Sequence, residues 1–319
     1  MRVATIDLGT NTALLLVAES KADHPDGLVP LEERATIVRL GQGVDKTRRF
    51  APEAIERTLA CLKDYATVIR SYGATEMDIV GTSAMRDAAG AEPLHEFATQ
   101  ELGTPIRVIS GDEEAHLTFD GALSGLSVTR GDPIVVFDIG GGSTEIVHGM
   151  LSAEGASIGF AKSFDLGSVR LTERFLASDP PTAAELDAVA RYVSETLAAI
   201  SLKPSRQTIG IAGTMTTLAA IALEMEPYES SKIHGCRMST DMLRHVTRSL
   251  ALMTLDQRRN VTGLDPKRAD VIVSGGMIAV GVVEQLGSAS VMVSDRGVRW
   301  GLARKLFLTR QAPRPPRPR

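Results

Sequence analysis

Apolar runs separated by short polar turns alternate with amphipathic segments along this chain. Two apolar runs, residues 3–7 and 13–17, flank a polar turn, which predicts a β-hairpin. Residues 52–72 instead carry apolar side chains at helical spacing, with Pro52 at the first helical position and Gly73 just beyond the last. The first quarter of the sequence therefore predicts a hairpin followed by a long helix.

The same alternation continues through the rest of the sequence. Thr182 and Glu185 have the spacing of a capping box, so a helix is predicted to begin there. A further helix is predicted from about Asp112 or Glu113. Further strands are predicted at residues 77–80, 106–109, 134–137, 145–147, 208–212 and 291–293. Strands that alternate with helices are typical of an α/β protein.

One supersecondary pattern occurs twice. In each copy an apolar strand ends in Asp, an aliphatic residue and Gly, and a polar turn then leads into a second strand. The two aspartates, Asp7 and Asp138, lie 131 positions apart. Two copies of one unit predict a duplicated α/β fold. We place the boundary near residues 128–133, where a Gly-Asp-Pro sequence is typical of a linker, which gives domain I at 1–130 and domain II at 131–300.

Composition narrows the class of protein. The 319 residues are 43% hydrophobic, 23% charged and 4% aromatic, which is globular and excludes disordered, collagen-like and coiled-coil chains. With 35 basic and 39 acidic residues the net charge is −4, so we expect no nucleic-acid partner. Two cysteines exclude a disulfide framework, and no run of about 18 apolar residues occurs, so we expect a cytoplasmic protein without a membrane partner. Residues 311–319, rich in Pro and Arg, are expected to be disordered.

The strongest candidate for chemistry is the second turn, residues 138–145 (DIGGGSTE). Three consecutive glycines remove every Cβ, so backbone N–H groups can approach one small anion such as phosphate. Asp138 at the strand tip can hold a metal ion or its water between the carboxylate and the phosphate. The alternative is a tight hairpin that needs glycine only for positive φ. With the first turn included, the predicted phosphate-binding residues are Gly9, Thr10, Asn11, Gly140, Gly141, Gly142, Ser143 and Thr144.

Together the two turns resemble the phosphate loops of the actin-like ATPase and sugar kinase superfamily. Their details are similar to the Ppx/GppA family of exopolyphosphatases and guanosine pentaphosphate phosphohydrolases, and further motifs follow in family order. These motifs are residues 81–88 (GTSAMRDA), 108–115 (VISGDEEA), 166–175 (LGSVRLTERF), 210–220 (GIAGTMTTLAA) and 294–302 (SDRGVRWGL). The resemblance covers almost the whole chain, which looks like the short, two-domain form of the family.

The resemblance implies roles for two charged residues outside the turns. The family's catalytic base, a carboxylate that orients and deprotonates the attacking water, corresponds to Glu114, and Glu113 is its rival on the sequence alone. For both residues the alternative is an acidic helix amino terminus stabilised by the helix dipole. Arg86 matches a family arginine near the substrate phosphates. Its alternative is a surface arginine paired with Asp87.

The resemblance also implies a divalent metal ion, Mg²⁺ or Mn²⁺. Asp138 and Glu145 would hold it, with Asp7 assisting through water, and Glu145 also counts among the predicted catalytic residues. In a plain strand Glu145 would simply face solvent. Gly213 and Thr214, at a predicted turn after a strand, match a loop that contacts nucleotide in related ATPases, so they would line the cleft.

For the whole chain, the resemblance implies a duplicated actin-like (ribonuclease H-like) two-domain α/β fold with an inter-domain cleft. A last helix, near residues 296–310, would return so that its end, residues 301–310, packs on domain I. The implied reaction is hydrolysis of the terminal phosphoanhydride of inorganic polyphosphate, and pppGpp hydrolysis is the alternative. An ATP-dependent small-molecule kinase and a nucleotide-binding assembly protein are more remote hypotheses on the same fold. A homodimer is a further expectation.

Other candidates carry less weight. Trp300 is expected in the core rather than as a stacking platform for a ligand. Arg296 and Arg299 could either add positive charge to the cleft or be exposed. Ser83 and Cys61 could act as nucleophiles only beside a base, and the sequence offers none, so no covalent mechanism is expected.

Overall fold

The computed structural model describes residues 1–21, 27–152, 155–200, 202, 205 and 207–311. The strands are β1 (Arg2–Leu8), β2 (Thr12–Ser20), β3 (Leu28–Ile37), β4 (Glu76–Gly81), β5 (Ile106–Val108), β6 (Pro133–Ile139), β7 (Thr144–Ser152), β8 (Gly155–Phe164), β9 (Gln207–Ile211), β10 (Arg237–Ser239) and β11 (Ser290–Val293). The helices are α1 (Val44–Thr47), α2 (Pro52–Tyr72), α3 (Ser83–Asp87), α4 (Glu92–Phe97), α5 (Gly111–Ala122), α6 (Ser168–Phe175), α7 (Ala183–Leu197), α8 (Ala212–Ala222), α9 (Ser230–Ile233), α10 (Thr240–Ala251), α11 (Leu255–Arg258), α12 (Ile272–Gln285) and α13 (Val298–Gln311). A π-helical turn (Ala98–Leu102) continues α4, and a 3₁₀ turn (Pro266–Arg268) precedes α12.

The two sheets of the described chain are built in the same way. The first has the strand order β3-β2-β1-β4-β5, and the second contains the same order, β8-β7-β6-β9-β11, with β10 added at the edge. In each sheet the first three strands in sequence pair antiparallel, and the next two strands of the shared order join in parallel. The additional edge strand β10 pairs antiparallel with β11. This repetition confirms the predicted duplicated α/β fold. The order and pairing are those of the ribonuclease H-like unit that actin-like proteins contain twice.

Local sequence signals set several element ends. Helix α2 has the predicted bounds, and Gly73 follows it with a φ of 63°, the left-handed conformation that glycine adopts without steric cost. At the start of α7, the Thr182 side chain accepts a hydrogen bond from the backbone N–H of Glu185, and the Glu185 carboxylate accepts one from the Thr182 N–H. The predicted capping box is therefore present.

The connection after β9 corrects a prediction. Strand β9 ends at Ile211 and α8 begins at the next residue, so Gly213 and Thr214 lie in the first helical turn rather than in an open turn. Ala212 has a left-handed φ of 64°, a conformation that costs a non-glycine residue about 1–2 kcal/mol. One strained residue thus replaces the predicted turn and brings the amino end of α8 directly to the end of β9.

Two helices are exchanged between the sheets. Helix α5 comes before β6 in sequence, yet Phe119 on α5 is buried in the core of the second sheet. Helix α13 comes after β11, yet Trp300 on α13 is fully buried with residues of β1 and β2 in the first sheet, as expected for a core residue. The two helices contact each other through Gly121 and Gly301, where an added Cβ would overlap backbone atoms of the facing segment. Each sheet thus packs against a helix that follows the last strand of the other sheet in sequence.

Three further expectations have different outcomes. Within the described ranges, no helix has both the length and the apolar character needed to cross a membrane. Of the predicted tail the structure describes only residue 311, at the end of α13, and residues 312–319 lie outside the described part of the chain. The division into residues 1–130 and 131–300 stays a prediction.

Candidate active site

Both predicted turns line one cleft with a volume of about 1060 Å³. Each turn is closed by the same backbone hydrogen bond at the same place in the repeat. The N–H of Gly9 donates to the carbonyl of Thr12 at 3.1 Å, and the N–H of Gly140 donates to the carbonyl of Ser143 at 2.9 Å. The repeated sequence pattern therefore produces two equivalent turns that face one cleft.

Helix α6 holds the carbonyl groups of the second turn. The Gly140 carbonyl accepts from the Ser168 N–H at 3.0 Å, and the Gly141 carbonyl accepts from the backbone N–H of Arg170 at 3.1 Å. The Gly142 carbonyl accepts from the Arg170 Nε at 2.7 Å. These peptide bonds are trans, so each N–H points away from the carbonyl of its own peptide group. The N–H groups of residues 141–143 consequently point away from α6 and are available to an anion in the cleft.

The glycines of the second turn serve close packing rather than backbone conformation. None of Gly140, Gly141 and Gly142 has a positive φ, so the alternative interpretation as a glycine-dependent hairpin is wrong. A Cβ on Gly141 would lie 2.9 Å from the Thr10 Cβ, and one on Gly142 would lie 2.5 Å from the Ser83 Oγ. Such distances are too short for real Cβ contacts, so any side chain here would push the two turns apart.

The first turn is held by the segment that follows β3. The Thr10 carbonyl accepts from the Gly41 N–H at 2.8 Å, and the Asn11 carbonyl accepts from the N–H groups of Val38 and Arg39 at 3.0 and 2.9 Å. Thr10 and Asn11 are buried residues at the cleft wall. The first turn thus offers side-chain groups to the cleft, whereas the second offers backbone.

Carboxyl groups lie close to both turns. Asp138 pairs directly with Glu145 across β6 and β7, whereas Asp7 faces Leu14 at the equivalent position of β1 and β2. Burial raises the pKa of Asp7 to about 7, with Arg299 lowering it and Glu145 raising it. Burial, Glu145 and Asp7 together raise the pKa of the half-buried Asp138 well above its usual range.

Glu145 is almost fully buried, so its alternative as a solvent-facing strand residue is wrong. Its Oε1 accepts from the Ser163 Oγ at 2.6 Å. Burial raises the pKa of Glu145, and the hydrogen bond from Ser163 partly offsets that shift. Asp7 on β1, Asp138 on β6 and Glu145 on β7 therefore form one electrostatically coupled group.

Helix α5 brings Glu114 into the cleft. The Ser110 side chain caps the helix, and Glu114 in its first turn is buried while its Oε2 accepts from the Arg86 Nη1 at 2.7 Å. Burial first and Glu145 second raise the pKa of Glu114 well above the usual value, and Arg86 lowers it. Glu113 points elsewhere and pairs with Arg107 at 3.2 Å. The geometry thus separates two adjacent glutamates that the sequence alone left as rivals.

Arg86 does not pair with Asp87, its alternative partner from the sequence. Besides Glu114, its Nη1 donates to the Ile109 carbonyl at 2.9 Å. Asp87 instead accepts from the Arg170 Nη2 at 2.6 Å. Neighbouring residues of the short helix α3 therefore reach two different parts of the site.

Three predicted site residues have other surroundings. The Thr144 hydroxyl donates to the Leu166 carbonyl at 2.5 Å and is fully buried. Gly213 and Thr214 do line the cleft, in the first turn of α8. The Thr214 hydroxyl donates to the Ile139 carbonyl at 3.2 Å, and the Arg268 guanidinium packs directly over Gly213.

Sequence reasoning missed Arg170 and Arg268, and it left Arg299 open. Arg299 and Arg268 both line the cleft, and the Arg299 side chain is 11% exposed and pairs with Glu33 at 2.6 Å. Arg170 is buried and bonds to the second turn. The one available signal for Arg170 was its place in the 166–175 motif, because nothing local distinguishes it from Arg174, one helical turn later.

The acids fit a divalent cation that shares its ligands with substrate and water. Among the described residues, no group of three or more His, Cys, Asp or Glu side chains is arranged to bind a metal ion directly. The Asp7 Oδ1, however, is buried without a hydrogen-bond partner. The Glu145 carboxylate raises the pKa values of both Asp7 and Asp138, and Asp7 raises that of Asp138 further. Mg²⁺ keeps several waters and uses one or two carboxylates together with phosphate oxygens. A cation of this kind would relieve the carboxylate repulsion.

The chain resembles known proteins over nearly its whole length. It is 40% identical to exopolyphosphatase 2 of Mycobacterium tuberculosis, over 96% of this chain and 98% of that protein. A crystal structure of a Ppx/GppA family member from Aquifex aeolicus is 30% identical, with a TM-score of 0.81 over 98% of this chain and 99% of that one. An exopolyphosphatase structure from Cytophaga hutchinsonii is 26% identical, with a TM-score of 0.86 over 97% and 98% of the two chains.

The sequence profile of the Ppx/GppA phosphatase family matches residues 16–309. The match includes the second turn, α5 and α6, although it begins after the first turn. Together with the 40% identity over nearly the full length, it settles the relationship that the motifs predicted: this chain is a member of the Ppx/GppA phosphatase family.

Proposed function

We propose that the protein is an exopolyphosphatase, which hydrolyses the terminal phosphoanhydride of inorganic polyphosphate and releases orthophosphate. The relative that is 40% identical over nearly the full length carries that name. The observation that carries the proposal is the juxtaposition of free turn amides with the buried, Arg86-bound carboxylate of Glu114 in one cleft. The backbone N–H groups of the turn suit the oxygens of a phosphoryl group, and the Glu114 carboxylate suits an attacking water molecule.

In the proposed reaction the terminal phosphoryl group lies between the two turns. Backbone N–H groups of residues 141–143 and the side chains of Thr10 and Asn11 donate to its equatorial oxygens. Arg86, at the edge of the same site, adds positive charge. Phosphoryl transfer needs mainly positioning and charge neutralisation, and preorganised donors supply both.

Glu114 is the proposed base for the attacking water. Its buried position raises its pKa, so it accepts a proton more readily than a solvent-exposed glutamate. Arg86 holds one carboxylate oxygen at 2.7 Å and thereby fixes the direction of the other. The water would then attack in line with the leaving phosphate.

Asp138 and Glu145, with Asp7 acting through water, would hold Mg²⁺ or Mn²⁺. Such a cation supplies charge neutralisation for the phosphate oxygens. The protein's own contribution is to keep these acids close together and away from bulk water.

Polyphosphate ranks first because the cleft extends beyond the two turns. A volume of about 1060 Å³ exceeds what one phosphate fills, and Arg268 and Arg299 line the rest of it. Hydrolysis of pppGpp is the second candidate, since the exposed ring of Tyr228 at the cleft wall offers a stacking surface for a base. The kinase and assembly hypotheses, and the homodimer, stay predictions.

The test is phosphate release by the purified protein with Mg²⁺, using tripolyphosphate, long polyphosphate, pppGpp and ATP in parallel. We expect release from polyphosphate, and we expect Glu114→Gln to lower it about 10²- to 10⁴-fold, the range for loss of a general base. Glu113→Gln is the matched control and retains most activity. No release from any of the four compounds would reject the function, and wild-type turnover by Glu114→Gln would remove Glu114 from the mechanism.

A further inference from the structure

Arg170 makes an unusual set of contacts for a residue on a short amphipathic helix. Its side chain is 8% exposed, and each of its three nitrogens has a polar partner. The Nε donates to the Gly142 carbonyl at 2.7 Å, the Nη1 to Asp45 at 2.7 Å and the Nη2 to Asp87 at 2.6 Å. Charge-assisted bonds of this length, away from water, fix both the guanidinium and its partners.

The three partners belong to different parts of the fold. Gly142 belongs to the second turn and therefore to the second sheet, whereas Asp45 on α1 and Asp87 on α3 belong to the segments around the first sheet. A rigid, planar guanidinium joins them, so the orientation of the Gly142–Ser143 peptide is tied to the position of the first half of the chain. Movement of one half against the other would rotate that peptide or break the bonds.

Asp87 adds a second connection. It follows Arg86, whose guanidinium holds Glu114 at 2.7 Å. Helix α3 therefore carries, on adjacent residues, one contact to the carboxylate proposed as base and one contact to the phosphate turn. These two parts of the site must stand at a fixed distance for a water to attack the phosphoryl group in line.

We propose that Arg170 is a positioning residue for phosphoryl transfer. It keeps the Ser143 N–H aimed at the transferred phosphoryl group by holding the Gly142 carbonyl on the opposite side, and it sets this donor relative to Glu114 through Asp87. The inference rests on the proposed function, because it assigns the phosphoryl group to the second turn.

Arg174 supplies a matched control. It lies one turn later on the same helix, pairs with Asp45 at 2.9 Å and donates to the Tyr192 hydroxyl at 3.0 Å instead of to a carbonyl group of the second turn. If the only role of Arg170 were to hold α6 against α1, its substitution would affect kcat and KM in the same way as substitution of Arg174. A positioning residue differs from it by changing turnover more than substrate binding.

The experiment measures kcat and KM for tripolyphosphate in Arg170→Gln, Arg170→Lys and Arg174→Gln, with the folded fraction checked by circular dichroism. We expect Arg170→Gln to lower kcat about 10²-fold, comparable to loss of one preorganised donor, with KM changed less than about fivefold. Arg170→Lys keeps the charge but not the three-way fork, so we expect at least about a tenfold loss. Arg174→Gln stays within about threefold in both constants.

Asp87→Asn tests the same connection without removing Arg170. We expect about a tenfold lower kcat, and the double variant with Arg170→Gln should be no slower than Arg170→Gln alone, because both changes act through one contact. Equal losses in Arg170→Gln and Arg174→Gln, or losses in KM alone, would overturn the inference. If Arg170→Gln does not fold, the kcat of Asp87→Asn tests the inference, and an unchanged kcat in that variant would overturn it. Absence of phosphate release by the wild-type protein would instead reject the proposed function.

Discussion

The two turns at the cleft are copies of one unit, yet they present different chemistry. The first turn carries the side chains of Thr10 and Asn11, whereas the equivalent positions of the second are Gly141 and Gly142. The reason is steric, because the second turn packs so closely on Thr10 and Ser83 that no Cβ fits. At these two positions the first turn therefore carries side chains, whereas the second contributes backbone.

The two copies also differ in the acidic residues that they carry. Asp7 and Asp138 are equivalent, but Asp7 faces Leu14 where Asp138 faces Glu145. The second hairpin therefore concentrates negative charge that the first does not. This asymmetry favours a cation on the side of the second hairpin, and four experiments can break or sharpen the comparison.

The largest effect is expected when the second copy is converted to the first. Glu145→Leu introduces the residue found at position 14, and we expect phosphate release to fall about 10³-fold because several kcal/mol of charge stabilisation are lost. Leu14→Ala is the control at the equivalent strand position, and its kcat should stay within about fivefold. Comparable losses in the two variants would show that the hairpins are not functionally asymmetric.

The next effect concerns the glycines. Gly142→Ala adds a Cβ 2.5 Å from the Ser83 Oγ, so the turn must shift, and a misplacement of about 1 Å can cost about 10²-fold in rate. Gly9→Ala meets only the Thr12 carbonyl of its own turn, at 3.0 Å, and we expect a loss below about tenfold. The values of kcat/KM for tripolyphosphate check both, and a larger loss in Gly9→Ala would contradict the packing argument.

The coupled acids also predict how stability depends on pH. Because the pKa of Asp7 rises from 3.8 to about 7 on folding, the folded protein binds more protons than the unfolded chain between about pH 4 and 7. The free energy of unfolding therefore falls as pH rises through that range. With EDTA present we expect the melting temperature to be about 5 °C lower at pH 8 than at pH 5.

Added Mg²⁺ should reduce this pH dependence, since a bound cation offsets the repulsion between the acids. Asp7→Asn without metal should reduce it as well, because the variant lacks one of the shifted groups. A melting temperature that rises steadily from pH 5 to pH 8 in EDTA would contradict the electrostatic description of the site.

The smallest effect on activity is expected at Thr144, although it belongs to the predicted phosphate-binding set. Thr144→Ala introduces the residue found at the equivalent position 13 and leaves the Leu166 carbonyl without its donor. We expect a stability loss of about 1–2 kcal/mol and a kcat within about threefold of wild type. Chemical denaturation measures the stability, and phosphate release measures kcat. A large loss of kcat in the folded variant would show that Thr144 takes part in phosphate binding after all.

Features carried by local pattern could be predicted from the sequence. The duplication followed from the repeated Asp-aliphatic-Gly turn, and α2 followed from its apolar stripe between Pro52 and Gly73. The strained Ala212 could not be predicted, because left-handed φ at alanine has no sequence signal and a Gly-Thr pair normally indicates a turn. Local sequence therefore predicts where helices and strands form better than it predicts the conformation of the residues that connect them.

Features that depend on long-range packing could not be predicted. Arg170 finds Asp45 and Asp87 at separations of 125 and 83 residues, and its own helix gives no reason to single it out. Glu114 and Glu113 were distinguishable only by resemblance, since which of two adjacent acids enters a cleft depends on how α5 is seated against the second sheet. The exchange of α5 and α13 between the sheets is of the same kind.

That exchange has a consequence for synthesis on the ribosome. The Thr5 hydroxyl donates to the Arg299 carbonyl, a contact that spans 294 positions. Strands β1 and β2 thus emerge early but keep the apolar surface of Val3 and Leu16 uncovered until α13 supplies Trp300. The second sheet, whose partner helix α5 is made before its own strands, can close its core first. We expect the uncovered surface of β1 and β2 to be the part of the nascent chain most exposed to association until α13 is made.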